Sequence, residues 1–197
     1  KYAEYKATRQ KMPEALAVQF PYILEMVDAF GIPTLQKERL EADDIIATAA
    51  RRFKGDARIF IISGDKDLMQ LVDDSVLVWD TLKEKVYDRE AVKEKYGVYP
   101  EYMADLLAIM GDSSDNIPGV PGIGEKGARD LVQSMGHIGQ IIDAAEAIES
   151  TRNREAILNN TDMALLSLDL VRLDRDVDMS VEYADITMRG LDRERLM

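Results

Sequence analysis

The sequence has no cysteine, so it can build neither a disulfide framework nor a thiolate metal site. Its single histidine, His137, argues equally against a zinc site of the usual His/Cys kind. No apolar run approaches the length of a membrane span, and there is neither a repeat nor a low-complexity segment. Cations are in short supply: 25 Lys and Arg against 37 Asp and Glu leave a net charge of −12. Proteins that bind nucleic acid usually carry a basic face, so the sum of charge alone leaves the partner open. What is present is a chain of 197 residues, 46% of them apolar and spread throughout. That suffices for one substantial core, or a core with a smaller helical appendage. The simplest reading is a soluble cytoplasmic protein.

The distribution of charge says more than its sum. Seven acids fall in three tight groups: Glu41, Asp43 and Asp44; Asp65 and Asp67; Asp112 and Asp115. Two bound divalent cations would cancel four of those charges and reverse the local electrostatics. The basic residues gather elsewhere, at Lys1, Lys6, Arg9 and Lys11 and again at Lys126 and Arg129.

Along the chain, apolar residues at Leu16, Phe20, Ile23, Val27 and Phe30 predict one amphipathic helix over 13–30, with Pro13 in its first turn and Gly31 at its end. Lys6 and Arg9 precede that apolar face, so their stretch is expected to have little to pack against. A second helix is predicted over 41–53. The run Ala57-Arg-Ile-Phe-Ile-Ile-Ser63 suits a strand buried on both faces. A short helix over 66–72 and a strand over 75–79 follow, and this alternation indicates an α/β core with a parallel sheet. Beyond Tyr87 the sequence reads as helical, over 90–96, 101–110 and 126–135 and onward to about Leu170, with 172–183 irregular. The expected layout is an α/β half over 1–98 and a helical half over 99–197. Two strands are too few for a stable open sheet, so an N-terminal strand is expected to precede Lys1.

Open α/β sheets bind ligands at the carboxyl ends of their strands. Asp65 and Asp67 follow the strand ending at Ser63, and the other two acid groups can share that edge. Taken singly, each group has a plainer account: first-turn acids complement a helix dipole, and Asp residues in loops form caps and Asx turns. Taken together, seven acids at one edge would repel one another strongly unless cations lay between them. Two metal ions can hold the attacking water and the leaving oxygen of an in-line phosphoryl displacement.

The turn Gly119-Val-Pro-Gly-Ile-Gly124 is neither a P-loop nor a dinucleotide fingerprint. Glu125 separates Gly124 from Lys126, and a helix with an acidic loop, not a strand, precedes it. Gly-Ile-Gly leading into a basic helix fits a helix–hairpin–helix, in which main-chain N–H groups of Gly119, Gly122, Ile123 and Gly124, with Lys126 and Arg129, grip a backbone phosphate. The alternative is an ordinary turn between helices.

Four ordered motifs, Glu41-Ala-Asp-Asp44, Ser63-Gly-Asp-Lys-Asp67, Gly111-Asp-Ser-Ser-Asp-Asn116 and Gly119-Val-Pro-Gly-Ile-Gly-Glu-Lys126, resemble those of the 5′-nuclease (flap endonuclease) superfamily. Tyr5-Lys-Ala-Thr-Arg9 is similar to that family's arch motif. The resemblance implies a PIN-like fold and a Mg²⁺-dependent phosphodiesterase with two metal ions, in which Mn²⁺ substitutes, acting on 5′ ends or 5′ flaps of duplex DNA. It implies that Glu41, Asp43, Asp44, Asp65, Asp67, Asp112 and Asp115 hold the metals, directly or as the shell of residues behind the ligands. Lys6 and Arg9 would act on the scissile phosphate, and a K⁺ would sit on carbonyls of the glycine-rich turn. A monomer is expected, near the bacterial nucleoid, fused to or working with a DNA polymerase. Two other readings stay open: a DNA-junction binder with an impaired site, and a PIN-type ribonuclease.

Overall fold

The sheet is built by residues 59–87. In the computed structural model of the chain, which describes residues 2–196 and so leaves Lys1 outside, strand β1 (Ile59–Ile62) pairs in parallel with β2 (Val76–Asp80), Ile59 opposite Val76 and Ile62 opposite Trp79. The crossover between them is a 3₁₀ turn, Asp67–Leu71, whose Leu68, Met69, Gln70 and Leu71 are buried. A third strand, β3 (Lys85–Tyr87), runs antiparallel to β2, so the sheet is mixed and not wholly parallel. β1 is also two-faced. Ile61 is buried while Phe60 and Ile62 are exposed, because residues of the core cover only one side of the strand.

Helix α3 (Ala42–Phe53) starts at Glu41, with Asp43 and Asp44 in its first turn and Arg51 and Arg52 in its last, the order that suits the helix dipole. Its Ala47 and Ala50 join Ile61, Val76 and Val78 of the sheet in a buried cluster. The N-terminal helix expected over 13–30 is broken into α1 (Glu14–Ala17) and α2 (Phe20–Ala29). Pro21 sits in the first turn of α2; it has no N–H to give, and its ring would clash with the preceding turn of a continuous helix. The stripe of Leu16, Phe20, Ile23 and Phe30 is exposed.

The helical half follows the sequence closely at first. Helix α4 (Arg89–Tyr96) is capped by Asp88, whose side chain accepts the N–H of Ala91, and stops at Gly97 in the left-handed region. Helix α5 (Met103–Met110) is almost wholly buried and packs against α6 (Glu125–Met135) and α9 (Thr161–Val171). Between these last two lie α7 (Ile138–Asp143) and α8 (Thr151–Asn159). The buried cluster runs without a break from Ala47 through the sheet to Leu107, Ile141 and Val171. From Arg172 to Glu182 the chain is irregular. Among the described residues, no helix is long and apolar enough to cross a membrane.

The loop between α5 and α6 is pinned at its base. Asp112 and Ile117 exchange both backbone hydrogen bonds, at 3.0 and 2.7 Å. Gly119, at φ +67°, lies so close to Gly111 that an added Cβ would stand 2.5 Å from the Gly111 nitrogen. Gly124, by contrast, has ordinary φ and open space around it. Gly119→Ala is therefore expected to destabilise the protein by at least about 2 kcal/mol, and Gly124→Ala by less than about 1 kcal/mol. Denaturant midpoints of the two variants measure the difference; equal midpoints would show that this base is not tightly pinned.

Candidate active site

Three acid groups meet at one end of the sheet. Asp65 and Asp67 follow β1, Asp43 stands in the first turn of α3, and Asp112 and Asp115 lie in the pinned loop after α5. Asp67 and Asp115 line two adjoining openings. One, of about 880 Å³, adds Glu41, Asp43 and Tyr5; the other, of about 390 Å³, adds Asp65, Asp112 and Arg9. Asp112 and Asp115 are buried, at 6% and 7% exposure.

The electrostatics follow from this crowding. Burial, with the charges of Asp65 and Asp112 behind it, pushes the Asp67 carboxyl up to about 7. Its Oδ1 is buried and has no hydrogen-bond partner among the described residues. Asp43 is also raised, first by burial and then by Asp65. Asp112 goes the other way. Burial acts against its charge, but Lys66, 2.8 Å from its Oδ1, and the N–H of Ser114 outweigh it and hold the carboxyl low.

Three cationic side chains reach into the acids. Lys6 pairs with Glu41 and stands 3.7 Å from Asp115; Arg9 donates to Asp115 Oδ1 at 2.6 and 3.0 Å. Burial would lower the Lys6 pKa, but hydrogen bonds to Glu41 and Tyr5 outweigh it and raise it above the usual lysine value. The stretch expected to lack packing is therefore held: Tyr5 packs on the core, and the Lys6 N–H donates to the Asp115 carbonyl at 2.8 Å. It forms turns, and Lys6 itself has φ +59°. Such strain persists where surrounding contacts over-determine the backbone, as at functional sites.

Not every residue singled out in the sequence faces this cleft in the same way. Asp44 lines the larger opening beside Asp43, but its carboxylate accepts the backbone N–H of Asp174 at 2.9 Å. Gly119 is buried, its N–H donating to Ser167 Oγ at 3.1 Å, and Ile123 is part of the core. Arg129 is tied to Glu125 and to the Tyr96 carbonyl, 3.0 Å away. Gly122, Gly124 and Lys126 remain exposed at the start of α6, where no side chain caps the first-turn N–H groups. His137 is held by buried Asp105 at 2.8 Å. Lys66 and Gln70 also belong to this region, and the only signal of either in the sequence is that Lys66 stands between Asp65 and Asp67.

Among the described residues no three acids or histidines are spaced to enclose an ion as they stand; Lys6, Arg9 and Lys66 occupy Glu41, Asp115 and Asp112 instead. The donor set still suits one. It is all oxygen, the preference of hard divalent cations, and it includes the orphaned Asp67 Oδ1.

A resolvase-like α/β half joined to a SAM-like helical half is the class that this fold defines. The family model for 5′-3′ exonuclease, N-terminal resolvase-like domain, matches residues 1–97, and that for 5′-3′ exonuclease, C-terminal SAM fold, matches residues 98–194. The chain belongs to the 5′-3′ exonuclease family. It is 47% identical over its full length to DNA polymerase I of Rhizobium leguminosarum, covering 19% of that protein, and 41% identical to that of Bacillus caldotenax, covering 23%. The 5′-3′ exonuclease of Buchnera aphidicola is 39% identical over 95% of this chain and 68% of its own length. The chain thus spans about a fifth to a quarter of those polymerases. Among solved structures, the 5′-exonuclease of T5 with divalent zinc bound matches at TM-score 0.73 and 30% identity, over 87% of this chain and 68% of that one. The catalytic core of Rad2 in complex with DNA matches at TM-score 0.59 and 18% identity, over 95% and 64%, a likeness of fold alone.

The raised Asp67 pKa fixes a pH dependence for the metal-free protein. Between the usual 3.8 and about 7, the folded state holds a proton that the unfolded state has released. Stability from this group is therefore full below pH 4 and falls as pH rises to about 7. Asp43 acts in the same direction; Asp112, held low, matters only in more acid solution. Asp67→Asn is expected to flatten the decline and to be more stable than the parent at pH 8 by about 1–3 kcal/mol. Urea unfolding at pH 5 and pH 8 reads this, and an unchanged slope in the variant would remove Asp67 as its source.

Proposed function

We propose that the chain performs the cutting and gripping of a structure-specific 5′ nuclease, hydrolysing phosphodiesters at 5′ ends or 5′ flaps of duplex DNA in replication or repair. The observation that carries this is the convergence of Asp43, Asp65, Asp67, Asp112 and Asp115 with Lys6 and Arg9 reaching in from one side. Glu41 and these five Asp residues would hold two Mg²⁺ ions, with Mn²⁺ able to replace them. Bound there, the cations supply activation of water and stabilisation of the leaving oxygen.

The chain's own residues do the rest. Lys6, kept charged by Glu41 and Tyr5, and Arg9 are pre-placed to exchange their carboxylate partners for the scissile phosphate. There they would stabilise charge that grows in the transition state. The first-turn N–H groups of α6, preceded by Gly122 and Gly124 and including that of Lys126, would hold a phosphate of the downstream duplex. A K⁺ on carbonyls of the 119–124 turn would add a charge there. Gly119 and Ile123 shape that turn from inside. In this reading residues 1–98 cut and residues 99–197 grip, and the loop 111–124 joins the two tasks. The protein would act as a monomer near the nucleoid, alongside a polymerase, as the DNA polymerase I relatives suggest.

The test uses the full-length protein and a 5′-labelled flap substrate. Asp112→Ala is expected to abolish cleavage while the protein stays folded. Lys6→Ala is expected to lower the single-turnover rate by about 10²–10³-fold with a much smaller change in DNA affinity, because its contact strengthens as the phosphate gains charge. Near-normal Mg²⁺-dependent cleavage by Asp112→Ala would defeat the site assignment. Tight duplex binding with no cleavage by the parent would favour the junction-binder reading instead.

A further inference from the structure

Asp43 and Asp44 are neighbours with identical side chains, yet α3 turns them about 100° apart. Asp43 feels the charges of Asp65, Lys6, Glu41 and Asp115. The Asp44 carboxylate instead accepts the N–H of Asp174 at 2.9 Å.

That contact is the first of a row. Four residues further along α3, the buried Thr48 hydroxyl accepts the N–H of Val177 at 3.1 Å and donates to the Asp174 carbonyl at 3.4 Å. Beyond it, Arg51 reaches Asp176 at 3.5 Å and Arg52 the Met179 carbonyl at 3.0 Å. Positions 44, 48, 51 and 52 lie on one helix face, and the segment 172–179 is strapped along it. The other margin of the strap is fixed by Gln70, only 5% exposed. Its Nε2 donates to the Val171 carbonyl at 3.0 Å, and its Oε1 accepts the Leu173 N–H at 3.2 Å. Its own carbonyl accepts from Arg175 at 2.7 Å. Gln70 belongs to the same 3₁₀ turn as Asp67. The strap therefore joins the helix that carries Asp43 to the turn that carries Asp67.

We propose that Asp44 is a positioning residue and stands outside the metal-holding set: it anchors a strap, residues 172–179, that with Gln70 sets the spacing between Asp43 and the Asp65–Asp67 pair. The proposal rests on the nuclease reading for what the spacing serves, though the strap itself does not. A role through hydrogen bonding needs only an acceptor oxygen at Asp44, whereas a role through charge needs the carboxylate.

Amide hydrogen exchange and Mg²⁺-induced thermal stabilisation of the full-length protein separate the two. Asp44→Ala is expected to speed exchange across 174–177 and to raise the Mg²⁺ concentration for half-maximal stabilisation by about 10–100-fold, while Asp44→Asn stays within about threefold of the parent in both. Thr48→Val touches no carboxylate and is expected to loosen the same amides, lowering kcat with KM for DNA unchanged. The proposal is overturned if Asp44→Asn shifts the Mg²⁺ midpoint as far as Asp43→Asn does, or if Asp44→Ala leaves amides 174–177 as protected as in the parent. Failure of the nuclease reading looks different: the parent itself would show neither Mg²⁺-dependent stabilisation nor cleavage, while exchange in the Asp44 variants still decides what anchors the strap.

Discussion

Holding Asp43, Asp65, Asp67, Asp112 and Asp115 near one another, two of them buried, sets like charges against each other where water screens them poorly. Much of the surrounding structure answers that repulsion. Lys66 lies against Asp112, Arg9 against Asp115, and Lys6 between Glu41 and Asp115. Asp67, which has no such partner, is pushed toward the protonated form. The cations come in on long side chains, and the acids are fixed by backbone: the end of β1, the head of α3 and a loop closed by paired hydrogen bonds and a glycine contact. That division suits a site whose counter-charges change places during its work.

The site is assembled from four segments distant in sequence, so its precision depends on contacts that hold those segments in register. α5, buried along most of its length, delivers Asp112 and Asp115 at one end, and the same loop continues into the open N-terminus of α6. In the proposed function, cutting and gripping would thus be linked by a short, pinned stretch of backbone. On the opposite side, the C-terminal strap ties α3 to the turn after Asp67. The helical half is in this sense part of the acid cleft's scaffold as well as its neighbour.

Much of this could be read in the sequence, for identifiable reasons. α3, α4, α5 and α6 announce themselves by periodicity with clear ends, such as the Asp88 cap and Gly97. β1 and β2 are apolar runs bounded by turn residues. The break at residues 18–19 was hidden because the apolar spacing of 16–30 continues across it, and only Pro21 marks it. β3 was missed because a strand of three residues, two of them exposed, carries no alternation to detect. The acid groups were legible as a set, but the direction of each was not. Asp43 and Asp44 differ only in helical phase, and Asp44's partner is a backbone N–H at residue 174, which no side-chain pattern reports. Gly119 and Gly124 likewise look equivalent in sequence, although one is buried against Gly111 and the other is open.

The central claim is that the carboxylates form one cation-holding cleft, so binding a divalent cation must relieve their repulsion and stabilise the fold. The most direct measurement is the melting temperature of the full-length protein at pH 8 as Mg²⁺ is added to millimolar levels at constant ionic strength. A saturable rise of about 5 °C is expected for a ligand far above its dissociation constant, and Na⁺ at matched ionic strength should not reproduce it. A melting temperature that does not move, or that follows ionic strength alone, would contradict a shared cation site.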